Sequence, residues 1–312
     1  MKAVLPAIAQ PLLAPRLPAD LEVAWFRTPE DAKAMIADAD IAWIDMSPTS
    51  HMDEAIRGAG PTLKWVSTLY AGLDAFPLAH LHERGVILTN GVGINAIAVA
   101  EYAVMGVLVG AKRFDEVLRA HDRQEWPKDA PGKIELFETK ALVIGYGAIG
   151  RLIGERLEAF GVAVTGVTRT ARNGTIGIDE WRARLGDYDW VVLAAPSTSD
   201  TKAMIGAEEL AAMKESAWLI NIARGDMIDD AALIAALETK AIAGAFLDPT
   251  NPEPLPADNP LWRAPNCIIT MHLSGRSQTR MFERAGALFL KNLAAFRAGE
   301  PMENVADLQA GY

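Results

Sequence analysis

One six-residue segment restricts the folds open to this chain more than any other. It follows the apolar run at 141–144 and begins an amphipathic stretch at 149–160. A glycine-rich turn between a strand and a helix presents unpaired N–H groups at the positive end of the helix, where phosphate groups bind. The alternative is an ordinary strand–turn–helix with glycines at the turn. We expect all six residues of the segment to hold the pyrophosphate of a dinucleotide: Gly145, Tyr146, Gly147, Ala148, Ile149 and Gly150.

Short apolar runs alternate with helix-forming stretches, which favours parallel sheets with helices on both faces. After a buried first strand, preferred over a targeting segment because prolines interrupt the N-terminus, strands are expected at 21–26, 41–44, 63–68 and 86–88. Further strands are expected at 141–145, 162–167, 190–194, 217–220, 241–247 and 267–271, with helical stretches between the first five. Six strands with crossovers match a dinucleotide-binding domain. One long helix is expected at 96–123, a polar linker at 124–133, and a last helix at 276–298.

The composition disfavours several classes of protein. The net charge is −10, which argues against broad nucleic-acid binding and against attraction to anionic membranes. No stretch reaches the roughly 20 apolar residues that span a bilayer. A single cysteine, Cys267, excludes an intramolecular disulfide and indicates a reducing compartment, so we expect a cytoplasmic protein. No metal site is predicted.

The residues after the second strand of the dinucleotide-binding domain indicate which cofactor binds. An acidic residue there would bind the ribose 2′-hydroxyl of NAD. Here the run at 162–167 is followed by Thr168, Arg169, Thr170, Ala171 and Arg172, with no carboxylate. Because guanidinium groups bind phosphate through a planar fork, we expect Arg169, Thr170 and Arg172 to bind the 2′-phosphate of NADP(H). The alternative is that the arginines are solvated and NAD is used.

Three polar residues in the second half of the chain suggest a reaction centre. Arg224 and His272 each end an apolar run, and Glu253 lies in the Pro-rich loop at 249–260. Arginine can hold the carboxylate of a 2-keto or 2-hydroxy acid, and histidine can move a proton to or from its oxygen. A carboxylate beside the imidazole fixes its tautomer and favours the protonated form. Taken singly, the three could be a surface ion pair, a loop-solubilising carboxylate and a structural histidine.

Seven ordered motifs give the chain, over nearly its full length, a resemblance to the D-isomer-specific 2-hydroxyacid dehydrogenases. They are Tyr70-Ala-Gly-Leu-Asp74, Asn90 through Val99-Ala-Glu101, the 145–150 turn, Pro196-Ser-Thr-Ser-Asp-Thr201, Asn221-Ile-Ala-Arg-Gly225, Asp248 with Glu253-Pro-Leu-Pro256, and Met271-His272. The resemblance implies the catalytic roles of Arg224, Glu253 and His272. It also implies that N–H groups near Ala71 and Gly72 bind the substrate carboxylate. The cofactor site would be lined by Pro196, Thr201, Ala223 and Asp248.

The resemblance further implies two doubly wound parallel-sheet domains in one α/β chain. A Rossmann cofactor domain at 98–276 would be inserted into a flavodoxin-like substrate domain formed by 1–97 and 277–312. The long helix after Ala96 would form much of a homodimer interface. Within the family, a short chain with an NADP-type selector most resembles the glyoxylate/hydroxypyruvate reductases. Alternatives are a dehydrogenase for a larger 2-keto acid and a dinucleotide-sensing binding protein.

Three departures from the family pattern fall near the expected site. Met271 stands where a proline often precedes the histidine, and Pro249-Thr250 replaces the Val-Phe that commonly follows the aspartate. Val92 stands in place of the usual proline after Asn90. None removes a catalytic group, but Pro249 could alter how the loop of Glu253 approaches His272. The length of 312 residues also leads us to expect no C-terminal regulatory domain of the kind found in many phosphoglycerate dehydrogenases.

Overall fold

A computed structural model describes residues 1–172 and 174–310. The chain divides into two compact units, one formed by Met1–Asn95 with the chain from Gln278 on, and the other by Ala96–Ser277. Each unit contains one wholly parallel sheet with helices, which confirms the predicted α/β class. No helix in the described ranges is long and apolar enough to cross a membrane.

The first unit is built on a five-stranded sheet. Its strands are β1 (Lys2–Pro6), β2 (Glu22–Phe26), β3 (Ile41–Trp43), β4 (Trp65–Ser67) and β5 (Ile87–Thr89), in the order β2-β1-β3-β4-β5. This is the flavodoxin-like order, in which ligands bind at the carboxyl ends of the strands beside the switch between β1 and β3. The helices of this unit are α1 (Gln10–Leu13), α2 (Pro29–Met35), α3 (Ser50–Arg57), α4 (Leu78–Glu83) and, after the second unit in sequence, α10 (Met281–Ala298).

Alternation along the strands gives the first unit a core on each face of its sheet. Ala42 packs in one cluster, while Ile41 and Trp43 pack in the other. On that second face, Trp65 stacks on Phe289 of α10 with ring centroids 5.1 Å apart and an interplanar angle of 13°. The period of two, typical of a strand, therefore decides which residues meet the final helix.

The second unit is built on a seven-stranded sheet. Its strands are β6 (Lys140–Ile144), β7 (Ala163–Thr168), β8 (Ile176–Gly177), β9 (Trp190–Leu193), β10 (Trp218–Asn221), β11 (Gly244–Leu247) and β12 (Cys267–Ile269). The order β12-β11-β10-β9-β6-β7-β8 is the Rossmann order with one further strand, and it reverses between β6 and β9. Its helices are α5 (Ala96–Lys112), α6 (Phe114–Asp122), α7 (Ala148–Ala159), α8 (Ala207–Ala212) and α9 (Asp230–Glu238).

The prediction of one continuous helix at 96–123 is wrong. The helix breaks at Arg113, which has a left-handed φ of 48° and separates α5 from α6. The Arg113 guanidinium donates to the Asn266 side chain at 2.8 Å, far away in sequence. Gly132 lies so close to this turn that an added Cβ would come within 2.2 Å of the Lys112 carbonyl carbon. Tertiary contacts therefore stop a helix that the sequence would continue.

Two other expectations also need correction. A helical stretch was expected between 167 and 190, but the chain forms the short strand β8 and a 3-10 helix, Arg182–Asp187, and β8 raises the strand count from six to seven. Gly174, Gly177 and Gly186 make an α-helix unfavourable there. The last helix starts at Met281 rather than 276, since a separate 3-10 turn, Ser274–Arg276, precedes it. The remaining 3-10 helices are Ala7–Ala9, Ala14–Arg16, Ile36–Asp38, Gly225–Met227 and Pro260–Arg263.

Candidate active site

Three adjacent strands of the second unit carry the candidate catalytic residues past their carboxyl ends. Arg224 follows β10, Glu253 follows β11 and His272 follows β12. The three strands are neighbours in one parallel sheet, so their carboxyl ends share one edge. Open parallel sheets bind ligands at that edge.

A buried asparagine shapes the turn that presents Arg224. Asn221, at the end of β10, donates from Nδ2 to the Arg224 carbonyl at 2.8 Å and accepts from the Ala223 N–H at 3.0 Å. Arg224 itself is partly buried, and its Nη1 donates to the Ala223 carbonyl at 2.8 Å. At Gly225 an added Cβ would lie 2.1 Å from the carbonyl carbon of Thr250. Glycine therefore lets the arginine turn lie directly against the loop of Glu253.

A buried aspartate organises the turn that presents His272. The Asp248 carboxylate accepts hydrogen bonds from the Thr270 hydroxyl at 2.7 Å, the Leu273 N–H at 3.0 Å and the Ser274 N–H at 3.2 Å. The Asp248 carbonyl accepts the His272 N–H at 2.7 Å. Asp248 is wholly buried, so these bonds replace its hydration. Its expected contact with the cofactor stays a prediction.

The same turn explains why proline is absent before the histidine. Met271 and His272 both have left-handed backbone angles, with φ values of 50° and 54°. The proline ring holds φ near −65°, so proline could not occupy position 271 in this conformation. Two successive non-glycine residues in this region store strain of a kind that concentrates at functional sites. The bonds to Asp248 hold the turn in place.

Glu253 and His272 form a direct pair. Oε2 of Glu253 lies 2.8 Å from Nδ1 of His272, and Oε1 accepts the Thr250 N–H at 3.1 Å. Burial favours a higher pKa for the Glu253 carboxyl, but the His272 hydrogen bond and charge, the Thr250 N–H and the Arg224 charge together lower the pKa below its usual value. Pro249 therefore does not prevent the loop of Glu253 from reaching His272.

The glycine-rich turn at 145–150 has the geometry that phosphate binding needs. Gly145 has φ +97°, and an added Cβ would lie 2.4 Å from the Ala195 nitrogen. At Gly150 an added Cβ would lie 2.1 Å from the Gly145 carbonyl oxygen, whereas at Gly147 it would meet no atom within 4 Å. The first and third glycines thus allow close packing, and the second leaves open space above the backbone. The N–H groups of Ala148 and Ile149 lie in the first turn of α7, before the helical hydrogen bonds begin at Arg151.

Tyr146 in this turn makes contacts within the protein. Its N–H donates to the Val167 carbonyl at 2.9 Å. Its ring lies over Gly154 of α7 and Gly166 of β7, where an added Cβ would approach the tyrosine to 2.3 Å at either position. Small residues on the helix and strand thus accommodate this side chain. A cofactor contact of Tyr146 stays a prediction.

The loop after β9 faces the other side of the switch point. The Thr201 hydroxyl donates to the Pro196 carbonyl at 2.8 Å and accepts the Thr198 N–H at 2.8 Å, which closes the loop. Ser197 donates to Asp226 Oδ2 at 2.9 Å, so Asp226 ties this loop to the turn that carries Arg224. The sequence interpretation missed Asp226. Its signal was an acidic residue two positions after the arginine, which is uninformative until the two loops are seen together.

The candidate cofactor selector lies beyond β7. Arg169, Thr170 and Arg172 are exposed. The Thr168 hydroxyl donates to the Thr170 carbonyl at 2.8 Å, and the Arg172 N–H donates to the Thr175 hydroxyl at 3.1 Å. The three side chains thus lie at the protein surface.

Ala71 and Gly72 belong to the first unit, beyond the carboxyl end of β4. Ala71 is exposed and Gly72 is half-buried. Within the described residues, neither N–H donates a hydrogen bond to another protein group. The Tyr70 carbonyl just before them accepts the Gly91 N–H at 2.8 Å. The pair therefore offers two backbone donors at the ligand-binding edge of its sheet.

Comparisons with known proteins identify a family for this chain. Residues 104–274 match the model of the D-isomer specific 2-hydroxyacid dehydrogenase, NAD binding domain. The chain is 33% identical over 298 residues to a glycerate dehydrogenase of Methylorubrum extorquens, covering 92% of this chain and 91% of that one. It is 32% identical over 268 residues to glyoxylate/hydroxypyruvate reductase B of Pectobacterium carotovorum, covering 83% of each chain.

Two further proteins are similar to this chain, one in sequence and one in structure. D-3-phosphoglycerate dehydrogenase of Methanocaldococcus jannaschii is 32% identical over 295 residues, but this chain spans only 56% of its length. A D-isomer specific 2-hydroxyacid dehydrogenase from Xanthobacter autotrophicus, solved with NADPH and MES, has a TM-score of 0.81 and 27% identity. That comparison covers 100% of this chain and 99% of the other.

Proposed function

This chain belongs to the D-isomer-specific 2-hydroxyacid dehydrogenase family, and we propose that it uses NADPH to reduce a small 2-keto acid, of the glyoxylate or hydroxypyruvate type, to a D-2-hydroxy acid. Membership makes it an oxidoreductase that binds a nicotinamide dinucleotide. The observation that carries the proposal is the 2.8 Å pair between Glu253 and His272 in the electrostatic reach of Arg224.

The pair determines which ring nitrogen of His272 can serve the substrate. Nδ1 is taken by the Glu253 carboxylate, whose pKa is lowered below its usual value. Within the described residues, Nε2 makes no hydrogen bond to the protein. With Nδ1 engaged by the carboxylate, Nε2 is the ring nitrogen from which a proton would pass to a developing alkoxide. In the reverse direction the same atom accepts the proton of the hydroxyl.

Arg224 would bind the anionic end of the substrate. A guanidinium pairs with a carboxylate through two parallel hydrogen bonds, which fixes the orientation of the keto group. The N–H groups of Ala71 and Gly72 add donors without adding side-chain bulk. Local donors of this kind are needed because the net charge of −10 repels an anionic substrate at long range.

The residues present fit a bound dinucleotide. The open space above Gly147 admits a pyrophosphate, and the first turn of α7 supplies N–H donors for it. Pro196, Thr201 and Ala223 border the same edge, after β9 and β10. When bound, the reduced nicotinamide supplies the hydride. Preference for NADPH is supported by the exposed Arg169, Thr170 and Arg172 after β7 and by the NADPH complex of the Xanthobacter relative.

The substrate class is supported by the relatives. A glyoxylate/hydroxypyruvate reductase and a glycerate dehydrogenase are 32% and 33% identical to this chain and are covered over most of their lengths. The substrates in those names are two- and three-carbon acids. The same acceptor class is therefore proposed for this protein.

We also propose a cytoplasmic homodimer. Side chains on α5 and α6 and just after α7 expose apolar area that a second copy of the chain would cover: Met105 is 38% exposed, Phe160 46%, Phe114 48% and Leu118 51%. The lone Cys267 has no disulfide partner, as expected in a reducing compartment. Light scattering on the purified protein tests the dimer, and a monomer mass at micromolar concentration contradicts it.

One set of assays tests the reaction. Initial rates are measured for glyoxylate, hydroxypyruvate, pyruvate and phenylpyruvate with NADPH and NADH in parallel. Chiral chromatography determines the handedness of the products from the last three acids, since glyoxylate gives achiral glycolate. We expect the highest kcat/KM with NADPH and a two- or three-carbon acid. Arg224→Ala and His272→Ala should each lower kcat/KM at least roughly 100-fold, whereas Arg263→Ala, at an exposed arginine of the same unit, should not. Near-wild-type turnover in the first two variants, or an L-hydroxy acid product, contradicts the proposal.

A further inference from the structure

An aspartate in the first unit makes an unusual set of contacts. Asp45 lies just past β3, two residues after Trp43. Its Oδ2 accepts the indole N–H of Trp43 at 2.6 Å and the N–H of Leu69 at 2.7 Å. Its Oδ1 accepts the hydroxyl of Thr68. The carboxylate thus joins the end of β3 to the segment that leaves β4.

The carboxylate is held by neutral donors. No ion pair to Asp45 forms among the described residues, and burial raises its pKa to about 6 against the lowering effect of the Leu69, Thr68 and Trp43 hydrogen bonds. A half-buried carboxylate without a cation costs stability. A carboxylate is also a side chain of this size that accepts several hydrogen bonds and donates none. The three donors therefore match the anion, and the anion fixes them.

The segment held by Asp45 leads into the donor pair at Ala71 and Gly72. The Thr68 hydroxyl, which donates to Asp45, also accepts the Tyr70 N–H at 3.0 Å. On the other side, Gly91 comes so close that an added Cβ would lie 2.0 Å from the Leu69 carbonyl oxygen. The three residues before Ala71 are thus fixed from both sides.

We propose that Asp45 is a positioning residue that, through Thr68 and Leu69, fixes the loop whose Ala71 and Gly72 N–H groups bind the substrate carboxylate. This inference rests on the proposed function, which gives those two N–H groups their ligand. The residues that Asp45 holds separate it from the proposed substrate site, and it acts through them. Its effect is on binding, because the carboxylate of the substrate is bound alike before and during hydride transfer.

Four variants separate positioning from a general loss of structure. Asp45→Ala removes all three acceptor contacts, whereas Asp45→Asn keeps an oxygen for Trp43 and Leu69. Thr68→Val removes the hydroxyl that bridges Asp45 to Tyr70, whereas Thr68→Ser keeps it. Thr62→Val is the matched control, because Thr62 lies in the same unit and its hydroxyl donates to the Ala39 carbonyl, away from this loop.

Kinetics and cofactor binding give the first readout. For Asp45→Ala and Thr68→Val we expect KM for the keto acid to rise about tenfold with kcat within about twofold of wild type. Asp45→Asn, Thr68→Ser and Thr62→Val should stay within about threefold of wild type in KM, and Kd for NADPH should be unchanged in all five variants. An unchanged KM in both Asp45→Ala and Thr68→Val overturns the inference. A parallel weakening of NADPH binding also overturns it, because it indicates general destabilisation.

Amide hydrogen exchange gives a second readout that needs no activity. Exchange at Leu69 and Tyr70 should be faster in Asp45→Ala than in wild type, and exchange at Tyr70 should be faster in Thr68→Val than in Thr68→Ser. Unchanged exchange at both amides shows that Asp45 does not fix the loop. If the exchange result holds but the wild-type protein reduces no 2-keto acid, the proposed function fails and only the positioning of the loop stands.

Discussion

Nδ1 of His272 lies 2.8 Å from Oε2 of Glu253, although the two residues follow different strands. His272 follows β12 and Glu253 lies in the loop after β11. Asp248 holds the turn of His272 by accepting the Leu273 N–H, and the Thr250 N–H donates to the Glu253 carboxylate. The pair is thus supported on both sides, as an acid–base group must be if it is to meet its substrate in one orientation.

Replacing Glu253 by glutamine should remove the charge and keep the size. We expect kcat for keto-acid reduction to fall roughly 100-fold, because a neutral amide replaces the charged hydrogen-bond partner of the imidazole. Kd for NADPH should not change, since Glu253 contacts His272 and the Thr250 N–H rather than the glycine turn. Glu238→Gln, at an exposed glutamate ending α9, is the control. A kcat within threefold of wild type speaks against the pair's role.

Alanine at two glycines should affect two different properties, the stability at Gly225 and the binding of NADPH at Gly147. Gly225→Ala puts a Cβ 2.1 Å from the Thr250 carbonyl carbon, so we expect a lower free energy of unfolding, by about 2 kcal/mol or more, and a loss of turnover. Gly147→Ala meets no protein atom within 4 Å, so stability should hold while Kd for NADPH rises about tenfold or more. Urea unfolding and fluorescence titration measure both. Equal stability losses in the two variants contradict this account.

The cofactor preference should depend on the loop after β7. In the double variant Arg169→Ala/Arg172→Ala, two charge-assisted contacts to the 2′-phosphate are lost, so KM for NADPH should rise roughly 100-fold. KM for NADH, which lacks that phosphate, should change less than threefold and serves as the internal control. A wild-type protein that already prefers NADH contradicts the assignment before any variant is made.

Stability should depend on the protonation of Asp45. Its pKa in the folded protein is about 6, raised by burial from an ordinary value of 3.8. A raised pKa means that the folded state binds the proton more tightly, so this contribution is fully present below about pH 4 and is lost as pH rises through about 6. The loss is on the order of 3 kcal/mol.

The measurement compares wild type with Asp45→Asn. Urea unfolding at several pH values from 4 to 7.5 gives the difference in free energy between the two proteins, in which most other titrations cancel. Wild type should lose stability relative to Asp45→Asn as the pH rises across this range. A constant difference shows that Asp45 does not titrate in this window.

Much of the fold could be read from local sequence. The strand at 41–44 was predicted from its apolar run, and the structure places its residues alternately in two cores. The glycine turn was predicted from three glycines between a strand and a helix, and it has the required geometry. Arg224, Glu253 and His272 were predicted from their positions after apolar runs or in the loop between them. These features depend on a few consecutive residues, so their physical causes lie within the sequence window that shows them.

What only the tertiary structure decided are contacts between distant segments. Arg113 ends a helix partly by bonding Asn266, and Asp45 bonds Thr68 across two strands. The Asp248 carboxylate holds the turn of His272, a contact that the sequence did not reveal, and its cofactor contact stays a prediction. The partner of a buried carboxylate is set by the register of neighbouring strands, which exists only once the sheet has formed. The sequence therefore determined which chemical groups stand at the strand ends, and the assembled sheet determined which of them hold the others in place.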